Sequence, residues 1–247
     1  MTELIVNGAA GRMGRMIDEA VEARPDAFHI AARADAKGGA GMFAGLKDYG
    51  GPAGVVLDFS NHAATRDLLD FCLDRGCPVV IATTGQTEAE MDAIRAASER
   101  IPVFYSANMS VGIAVLADMA KRAAAAFPQA DIEIVEVHHN QKLDVPSGTA
   151  LLLGRAIQEA RPGATLLIGR HENGKRTAEE IGVHSLRLGN EVGIHEILIS
   201  TGNETLTLRH QAVSRALFAE GALAAAAFLK DRPAGFYSMK DLLNEAS

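Results

Sequence analysis

The order of hydrophobic and polar positions divides the chain near its middle. Up to residue 108, short apolar runs alternate with stretches in which apolar residues recur every three or four positions. The first pattern predicts buried strands and the second predicts amphipathic helices. Strands and helices that alternate at this spacing indicate a parallel sheet covered on both faces. The predicted strands are 3–8, 28–35, 54–60, 78–85 and 101–108, and the predicted helices are 14–24, 62–76 and 87–100.

Beyond residue 109 the pattern becomes richer in strands. Helices are predicted at 110–127 and 148–160, on either side of a strand at 130–140. Short β runs broken by Gly and Asn then indicate a mixed or antiparallel sheet, at 165–169, 183–189, 192–201 and 204–212. An apolar helix at 214–230 is expected to pack back on the first half. The fold class is therefore α/β with two domains: residues 1–109 completed by C-terminal helices within 214–247, and a smaller α+β domain of residues 110–213.

Composition and charge argue against several functions. The chain has 247 residues, a formal net charge of −7 and no long run of Lys or Arg, which disfavours a nucleic-acid partner. The apolar run 222–229 is far too short to cross a membrane, and the N-terminus lacks the basic region of a signal peptide. With only two cysteines, Cys72 and Cys77, a reducing compartment is favoured over a disulfide framework. We expect a cytoplasmic protein.

A glycine-rich turn follows the first predicted strand. In "VNGAAGRMGR", Gly8, Gly11 and Gly14 lead into a helix, and Asp35 stands at the end of the second predicted strand. Glycines in this position let backbone N–H groups approach a pyrophosphate, which then lies at the positive end of the helix dipole. The alternative is a tight strand–helix turn that binds nothing. The context favours a Rossmann-like dinucleotide-binding domain over residues 1–109.

Which dinucleotide binds stays open at this stage. A carboxylate at Asp35 favours NAD, because it would repel the 2′-phosphate of NADP. Three nearby basic residues could neutralise that phosphate instead: Arg12, Arg33 and Lys37. Ligands of a doubly wound sheet bind outside the carboxyl ends of its strands, so three further residues could contact nicotinamide and ribose: Phe59, Thr83 and Thr84. For these the alternative is simple turn chemistry.

The stretch "EVHHNQKLDVPSGTALLLG", residues 136–154, holds the only adjacent pair of histidines. A metal site is disfavoured, because neighbouring residues of a strand point to opposite faces and no further ligand is nearby. Two structural histidines are the ordinary alternative. A hydrolase that uses Ser147 would lack the G-x-S-x-G turn of such enzymes.

An anion site with a proton donor uses every unusual residue of this stretch. Ser147 is placed to cap a helix, which directs the amides of Gly148 and Thr149 outward. A substrate carboxylate at that helix start would also gain the ammonium group of Lys142. An imidazole of the histidine pair titrates near neutral pH and can give a proton to a reacting carbon or nitrogen.

Four motifs in this order, "GAAGRMGR", "DFS", "ATTG" and "EVHHNQKLDVPSGTA", resemble the dihydrodipicolinate reductase (4-hydroxy-tetrahydrodipicolinate reductase) family over essentially the whole chain. The last motif is highly specific to that family. The resemblance implies an oxidoreductase of the diaminopimelate route to lysine. It would reduce 4-hydroxy-tetrahydrodipicolinate, via dihydrodipicolinate, to tetrahydrodipicolinate with NADH or NADPH. The implied partner is a small dicarboxylate, the implied assembly is a homotetramer through the sheet of residues 110–213, and no metal is implied.

The resemblance also assigns roles to individual residues. It makes His138 the proton donor and Lys142 the second catalytic residue, with a substrate-binding set of His139, Ser147, Gly148 and Thr149. The implied cofactor site comprises Gly8, Gly11, Arg12, Met13, Gly14, Asp35, Phe59, Ala82, Thr83, Thr84, Ala107, Asn108 and Met109. The family often has Gly where Ala82 stands and Phe where Met109 stands, which bears on cofactor preference. Arg215 is interpreted as a charge at a helix start or between domains.

Two other functions are weighed against this one. A dehydrogenase that acylates through a semialdehyde needs a nucleophilic cysteine in its substrate domain, whereas Cys72 and Cys77 both fall in the first predicted domain. A nucleotide-binding regulatory module would explain the glycine turn. It would leave the histidines and Lys142 without a role.

Overall fold

The computed structural model describes residues 1–245 and divides them into two compact units. One unit contains Met1–Ser110 together with the C-terminal segment that begins at Ala216. The other contains Val111–Arg215. The chain thus leaves the first unit once and returns to it once.

The first unit is built on a six-stranded sheet in the order β11-β5-β4-β3-β1-β2, and every neighbouring pair is parallel. Its strands are β1 Thr2–Asn7, β2 Phe28–Ala34, β3 Val55–Asp58, β4 Val79–Ile81, β5 Pro102–Tyr105 and β11 Gly235–Tyr237. The inner strands β3 and β4 are buried along their whole length, which explains their continuous apolar runs. The parallel α/β prediction is confirmed. The edge strand β11 was not predicted, because three residues carry no measurable periodicity.

Among the described residues, this unit has five α-helices: α1 Arg12–Glu22, α2 Thr65–Arg75, α3 Glu88–Ser98, α6 Ala216–Leu229 and α7 Met239–Glu245. Helix α3 is capped by Thr87, whose side chain accepts from the N–H of Glu90 while the Glu90 carboxylate accepts from the N–H of Thr87. This reciprocal cap was readable from the sequence. Helix α6 is rich in Ala and packs on α1 and on strands β3 and β4.

The second unit holds a five-stranded sheet in the order β10-β9-β6-β8-β7. Its strands are β6 Asp131–His138, β7 Thr165–Ile168, β8 Glu180–Arg187, β9 Gly193–Ser200 and β10 Thr205–Ala212. Strand β6 runs parallel to β8 and antiparallel to β9, so the predicted mixed sheet is confirmed. The helices are α4 Val111–Ala126 and α5 Gly148–Ala160, which pack on each other and, with the apolar side chains of the sheet, form one core.

None of the helices among the described residues is long and apolar enough to cross a membrane. The most apolar of them, α6, has 14 residues and is buried in the core of the first unit.

Candidate active site

The glycine turn lies between β1 and α1 and depends on the absence of side chains. Gly8 has a φ of 83°, and a Cβ built on it would lie 2.5 Å from the carbonyl oxygen of Phe59. A Cβ on Gly14 would lie 2.2 Å from the carbonyl oxygen of Ala9. Helix α1 therefore starts close beneath the turn, and its first turn of N–H groups faces the same edge of the sheet.

Asp35, at the end of β2, holds the glycine turn in place. One carboxylate oxygen accepts from the N–H of Ala10 at 3.0 Å and the other from the N–H of Lys37 at 2.9 Å. Arg33 is directed elsewhere, because its guanidinium pairs with Asp18 of α1 at 2.8 Å. Of the three basic residues considered for a 2′-phosphate, Arg33 is thus already engaged with a carboxylate.

A cleft of about 940 Å³ opens beside this turn. Gly8, Gly11, Asp35 and Phe59 border it, and two lysines line it from separate loops, at positions 37 and 47. Lys47 had no signal in the sequence, since it lies in a 3-10 helix of only three residues, Leu46–Asp48, that carries no motif. The cleft has room for the adenosine part of a dinucleotide, with the open backbone of Gly11 at its edge.

The carboxyl ends of the inner strands are tied together by a residue that the sequence did not single out, Asp58. This buried carboxylate accepts from the side chains of Asn7 at 2.7 Å, Ser60 at 2.6 Å and Thr83 at 2.6 Å. Burial raises the pKa of Asp58, although these hydrogen bonds oppose the rise. The Thr83 hydroxyl is therefore occupied in the fold, and the Thr83 carbonyl oxygen accepts from the side chain of Gln86 at 2.9 Å.

The other residues of the implied cofactor site have different environments. Arg12, Thr84 and Ala107 are exposed, and Met13, Ala82 and Asn108 are half-buried. The carbonyl oxygen of Asn108 accepts from the Ser106 hydroxyl at 2.6 Å, and its side chain accepts from the N–H of Ser110 at 2.8 Å. Met109 is buried, and its carbonyl oxygen lies against Gly221 of α6. Of the implied cofactor residues, Gly8, Gly11, Asp35 and Phe59 border the cleft.

In the second unit, strand β6 ends in the histidine pair. Its buried side is apolar at Ile132 and Ile134 and turns polar at Glu136 and His138, all of which are buried. His139, one position further, is half-buried. The alternation of the strand thus separates the two imidazoles, as the sequence predicted.

Glu136 is the centre of the buried polar group and is completely enclosed. Its carboxylate bonds the Nδ1 atom of His138, accepts from the N–H of Ser147 at 3.1 Å and pairs with the guanidinium of Arg187 at 3.1 Å. Burial alone would raise the pKa of Glu136, but the hydrogen bond and charge of His138, with other donors, lower it to about 2. The group is therefore a carboxylate at neutral pH.

His195, which the sequence reasoning missed, completes this layer from strand β9. It pairs with Glu136 in the sheet register, and its Nε2 atom lies 3.2 Å from the Ser147 hydroxyl. Its ring stands edge-on to that of His138, with centroids 5.2 Å apart. Burial first, and the charge of His138 second, lower the pKa of His195 to about 3. A histidine among the inward-facing apolar residues of "GIHEILIS" was the available signal.

Helix α5 begins beside this layer as the sequence predicted. Ser147 is its N-cap, and the Ser147 hydroxyl accepts from the N–H of Ala150 at 3.1 Å. Gly148 is exposed and Thr149 half-buried in the first turn. The positive end of the helix dipole therefore lies within the same site as His138.

Lys142 and Arg215 bring positive charge to the same segment. The ammonium group of Lys142 is 2.9 Å from the carboxylate of Asp144, which is mostly exposed. Arg215 lies 3.4 Å from the Nε2 atom of His139. Partial burial and the charge of Arg215 lower the pKa of His139. Arg215 thus borders the histidine pair within its own unit.

Two alternatives from the sequence can now be compared with the structure. Both cysteines are free and fully buried in the first unit, and burial raises the pKa of Cys72 well above its usual value, so Cys72 offers no reactive thiolate. Among residues 1–245, no group of three or more His, Cys, Asp or Glu side chains is arranged to hold a metal ion.

A parallel sheet with a glycine turn, together with a second unit that gathers histidine, lysine and a helix start, defines the class of nucleotide-dependent oxidoreductases. Residues 2–109 match the family model described as dihydrodipicolinate reductase, N-terminus, and residues 112–243 match the model described as dihydrodipicolinate reductase, C-terminus. The chain belongs to the dihydrodipicolinate reductase family.

Named relatives are similar over nearly the whole chain. The 4-hydroxy-tetrahydrodipicolinate reductase of Caldanaerobacter subterraneus subsp. tengcongensis is 41% identical over 250 residues, which cover 99% of each chain. That of an Exiguobacterium species is 42% identical over 237 residues, or 96% of this chain and 94% of the relative. The dipicolinate-bound dihydrodipicolinate reductase of Paenisporosarcina sp. TG-14 superposes with a TM-score of 0.76 at 25% identity, covering 96% of this chain and 97% of that one.

Proposed function

We propose that this chain reduces 4-hydroxy-tetrahydrodipicolinate, via dihydrodipicolinate, to tetrahydrodipicolinate with NADH or NADPH, in the diaminopimelate route to lysine. In this proposal the first unit binds the nucleotide and the second binds the dicarboxylate. The observation that carries it is the meeting of His138, Lys142 and the start of α5 in one site. The bound dipicolinate of the Paenisporosarcina relative, a planar dicarboxylate, is further support.

The first unit has the features that a dinucleotide needs. Gly8 and Gly14 allow the turn to approach a pyrophosphate, because a Cβ at either position would collide with backbone atoms. Asp35 fixes the turn through Ala10 and lines the cleft in which the adenosine part would lie. The remaining cofactor residues stay candidates for the nicotinamide half: Arg12, Met13, Phe59, Ala82, Thr83, Thr84, Ala107, Asn108 and Met109.

In the second unit, one substrate carboxylate would lie at the start of α5. The amides of Gly148 and Thr149 and the helix dipole favour a negative charge there. Lys142 would exchange its exposed partner Asp144 for that carboxylate, since an ion pair that faces solvent is weak. Ser147 would contribute to carboxylate binding as the N-cap that fixes the start of α5. His139 would contact the substrate, with the positive charge of Arg215 beside it.

The 4-hydroxy precursor loses water to give dihydrodipicolinate, and the nicotinamide nucleotide, when bound, would supply a hydride to that ring. His138 would then donate a proton to the enamine carbon that remains, so that the reduction adds one hydride and one proton after one water has left. Its Nδ1 atom donates to Glu136, so the imidazolium form of His138, which is protonated on both nitrogens, would give up the proton on Nε2. Lys142 draws electron density out of the ring by neutralising its carboxylate.

We expect both NADH and NADPH to be used. The carboxylate of Asp35 favours the ribose hydroxyls of NADH, while Lys37 and Lys47 line the same cleft and can offset the 2′-phosphate of NADPH. Because the two effects oppose each other, neither cofactor is excluded by charge.

The experiment that tests the function follows the absorbance of the reduced nucleotide at 340 nm. The precursor is made in place from pyruvate and aspartate semialdehyde by a synthase, and the purified chain is added with NADH or with NADPH. Oxidation that requires the precursor is the expected result, with KM determined for each cofactor. Absence of precursor-dependent oxidation with both cofactors would contradict the proposal.

We further infer a homotetramer that assembles in the cytoplasm. Helices α4 and α5 cover one face of the five-stranded sheet, while the other face carries half-buried apolar residues such as Val135, Val137, Ile194 and Leu198. The two buried thiols suit a reducing compartment. Sedimentation velocity should give four times the chain mass of 26.1 kDa. A species of the single-chain mass at micromolar concentration would contradict this assembly.

A further inference from the structure

We propose that Glu136 and Arg187 act as positioning residues: Glu136 fixes the orientation and tautomer of His138, and Arg187 joins the same carboxylate to the loop that carries Lys142. This inference rests on the proposed function, because it concerns the two residues assigned to proton donation and carboxylate binding.

The hydrogen bond to Glu136 determines the tautomer of His138. Since a carboxylate accepts hydrogen bonds and cannot donate them, the Nδ1 atom that faces Glu136 carries a proton. The neutral ring is therefore unprotonated at Nε2. A Cβ built on Gly193 would lie 3.1 Å from that Nε2 atom, so a larger residue at this position would crowd the nitrogen, whereas glycine leaves space beside it. Glu136 thereby sets which nitrogen exchanges protons and where it points.

Arg187, at the end of β8, connects Glu136 to the loop that carries Lys142. Its Nη1 and Nη2 atoms both lie 3.1 Å from oxygens of Glu136. The same guanidinium donates to the carbonyl oxygen of Asp144 at 2.6 Å and lies 3.4 Å from that of Lys142. The planar guanidinium, with its five N–H groups, can donate to the carboxylate and to the loop carbonyls at the same time, which the ammonium group of a lysine in this position cannot do.

The start of α5 is bonded to the same carboxylate. The N–H of Ser147 donates to Oε1 of Glu136 at 3.1 Å. The proton donor, the lysine loop and the carboxylate-binding helix start are therefore all bonded to one ion pair between β6 and β8. Misplacement of a reacting group by about 1 Å can cost on the order of 100-fold in rate, so this common attachment affects the reaction directly.

A stabilising role alone does not account for a buried ion pair of this kind. Desolvation of two charges often cancels their attraction, so a buried pair is weak evidence for stability. The outer face of β6 carries a similar group, in which Glu133 bonds His184 and Arg176. There all three side chains are partly exposed, and their bonds do not reach the loop of residues 139–147. The buried group of Glu136, His138 and Arg187 differs from this outer group, because its hydrogen bonds do reach that loop.

The test is a double-mutant cycle on the full chain with precursor and NADH. Glu136→Gln should lower kcat about 100-fold in the wild-type background and leave KM for NADH unchanged. In the His138→Ala background, the same substitution should change kcat by less than about tenfold, because the part of its effect that is transmitted through the ring is missing and only the part transmitted through the loop and the start of α5 remains. Equal factors in the two backgrounds would overturn the proposal.

A matched control removes a charged glutamate of the same unit far from this group. Glu159→Gln breaks the surface pair between α5 and Lys121 of α4 and should leave kcat at the wild-type value. If Glu136→Gln fails to fold, Arg187→Lys takes its place, since Arg187 reaches the surface. It keeps the charge and should still lower kcat/KM for the precursor at least about tenfold through loss of the loop contacts. A wild-type kcat/KM in Arg187→Lys would overturn the proposal.

A second readout does not depend on activity. Nitrogen-15 NMR of the imidazoles in the wild-type chain at pH 8 should show His138 protonated at Nδ1, and Glu136→Gln should move part of the population to the Nε2–H form. An unchanged tautomer in Glu136→Gln would contradict the role of Glu136. If the wild-type chain itself fails to oxidise NADH with precursor, the proposed function fails, whereas the tautomer result still decides what Glu136 does.

Discussion

His195 shows how a single buried side chain couples this fold to pH. Its pKa is lowered from 6.5 to about 3, first by burial and then by the charge of His138. Between these two pH values the unfolded chain binds a proton that the folded chain does not bind. Stability therefore falls as pH falls from 6.5 towards 3, by about 1.4 kcal/mol per pH unit for this one group.

The prediction is that His195→Gln weakens this pH dependence. Urea unfolding of the wild type and of the variant at pH 7 and pH 5.5 gives the two free energies of unfolding for each. The variant should lose less stability between these pH values than the wild type, because it has no imidazole to protonate in the unfolded state. The lower of the two pH values, 5.5, lies above the pH range in which Glu136 contributes to the change in stability. The pKa of Glu136 is about 2 in the folded chain and about 4.5 in the unfolded chain. Identical losses would contradict the assignment.

Individual residues of the site were predictable where their signal is local. His138, Lys142 and Ser147 fall within ten positions, and the Ser147 cap follows from residue type and position alone. Glu136 lay within the same quoted stretch but gained no role, because its partner Arg187 is 51 positions away. His195 and Asp58 were missed for a related reason, since His195 bonds Ser147 48 positions away and Asp58 bonds Asn7 and Thr83 51 and 25 positions away.

At the scale of elements, two glycines inside helices offer a paired test of packing. Gly221 in α6 faces Met109, and a Cβ there would lie 1.7 Å from the carbonyl oxygen of that residue. Gly154 in α5 faces Leu166, where a Cβ would meet side-chain atoms at 2.8 Å. The backbone carbonyl of Met109 can move away only if the segment that follows β5 also moves, whereas the side chain of Leu166 can change its conformation.

Gly221→Ala is therefore expected to lower the free energy of unfolding by about 3 kcal/mol or more. Gly154→Ala is the matched control: the better helix propensity of alanine offsets part of the crowding, so the net change should stay within about 1 kcal/mol. Chemical denaturation of the two variants beside the wild type measures both. A Gly221→Ala variant as stable as the Gly154→Ala variant would show that α6 does not pack on the chain as described.

Most elements were predicted to within a few residues because their burial is uniform along the strand or periodic along the helix. Strand β4 and helix α5 are examples, the first apolar throughout and the second apolar on one side. Strand β8 begins at Glu180 rather than 183, since its first residues lie next to the edge strand β7 and are less apolar. Strand β11 depends on its pairing with β5 rather than on its own sequence.

At the scale of the whole molecule, the proposed function divides its two tasks between two compact units. The parallel unit is interrupted after Ser110 and resumed at Ala216, so the second unit is an insertion in the chain of the first. The family resemblance and the two domain models agree on a change of character near residue 110. The arrangement of strands in the second sheet could not be read from the sequence, because parallel and antiparallel neighbours of β6 have the same apolar alternation.

In the proposed reaction the dicarboxylate is reduced in the second unit, beside His138, Lys142 and the start of α5, while the nucleotide is held by the first unit. The most direct measurement compares kcat with the dissociation constant for NADH in His138→Ala and Lys142→Ala. Each variant should lose about 10²- to 10⁴-fold in kcat and keep the wild-type dissociation constant for NADH. Wild-type kcat in both variants, or a loss of NADH affinity as large as the loss of kcat, would contradict the account.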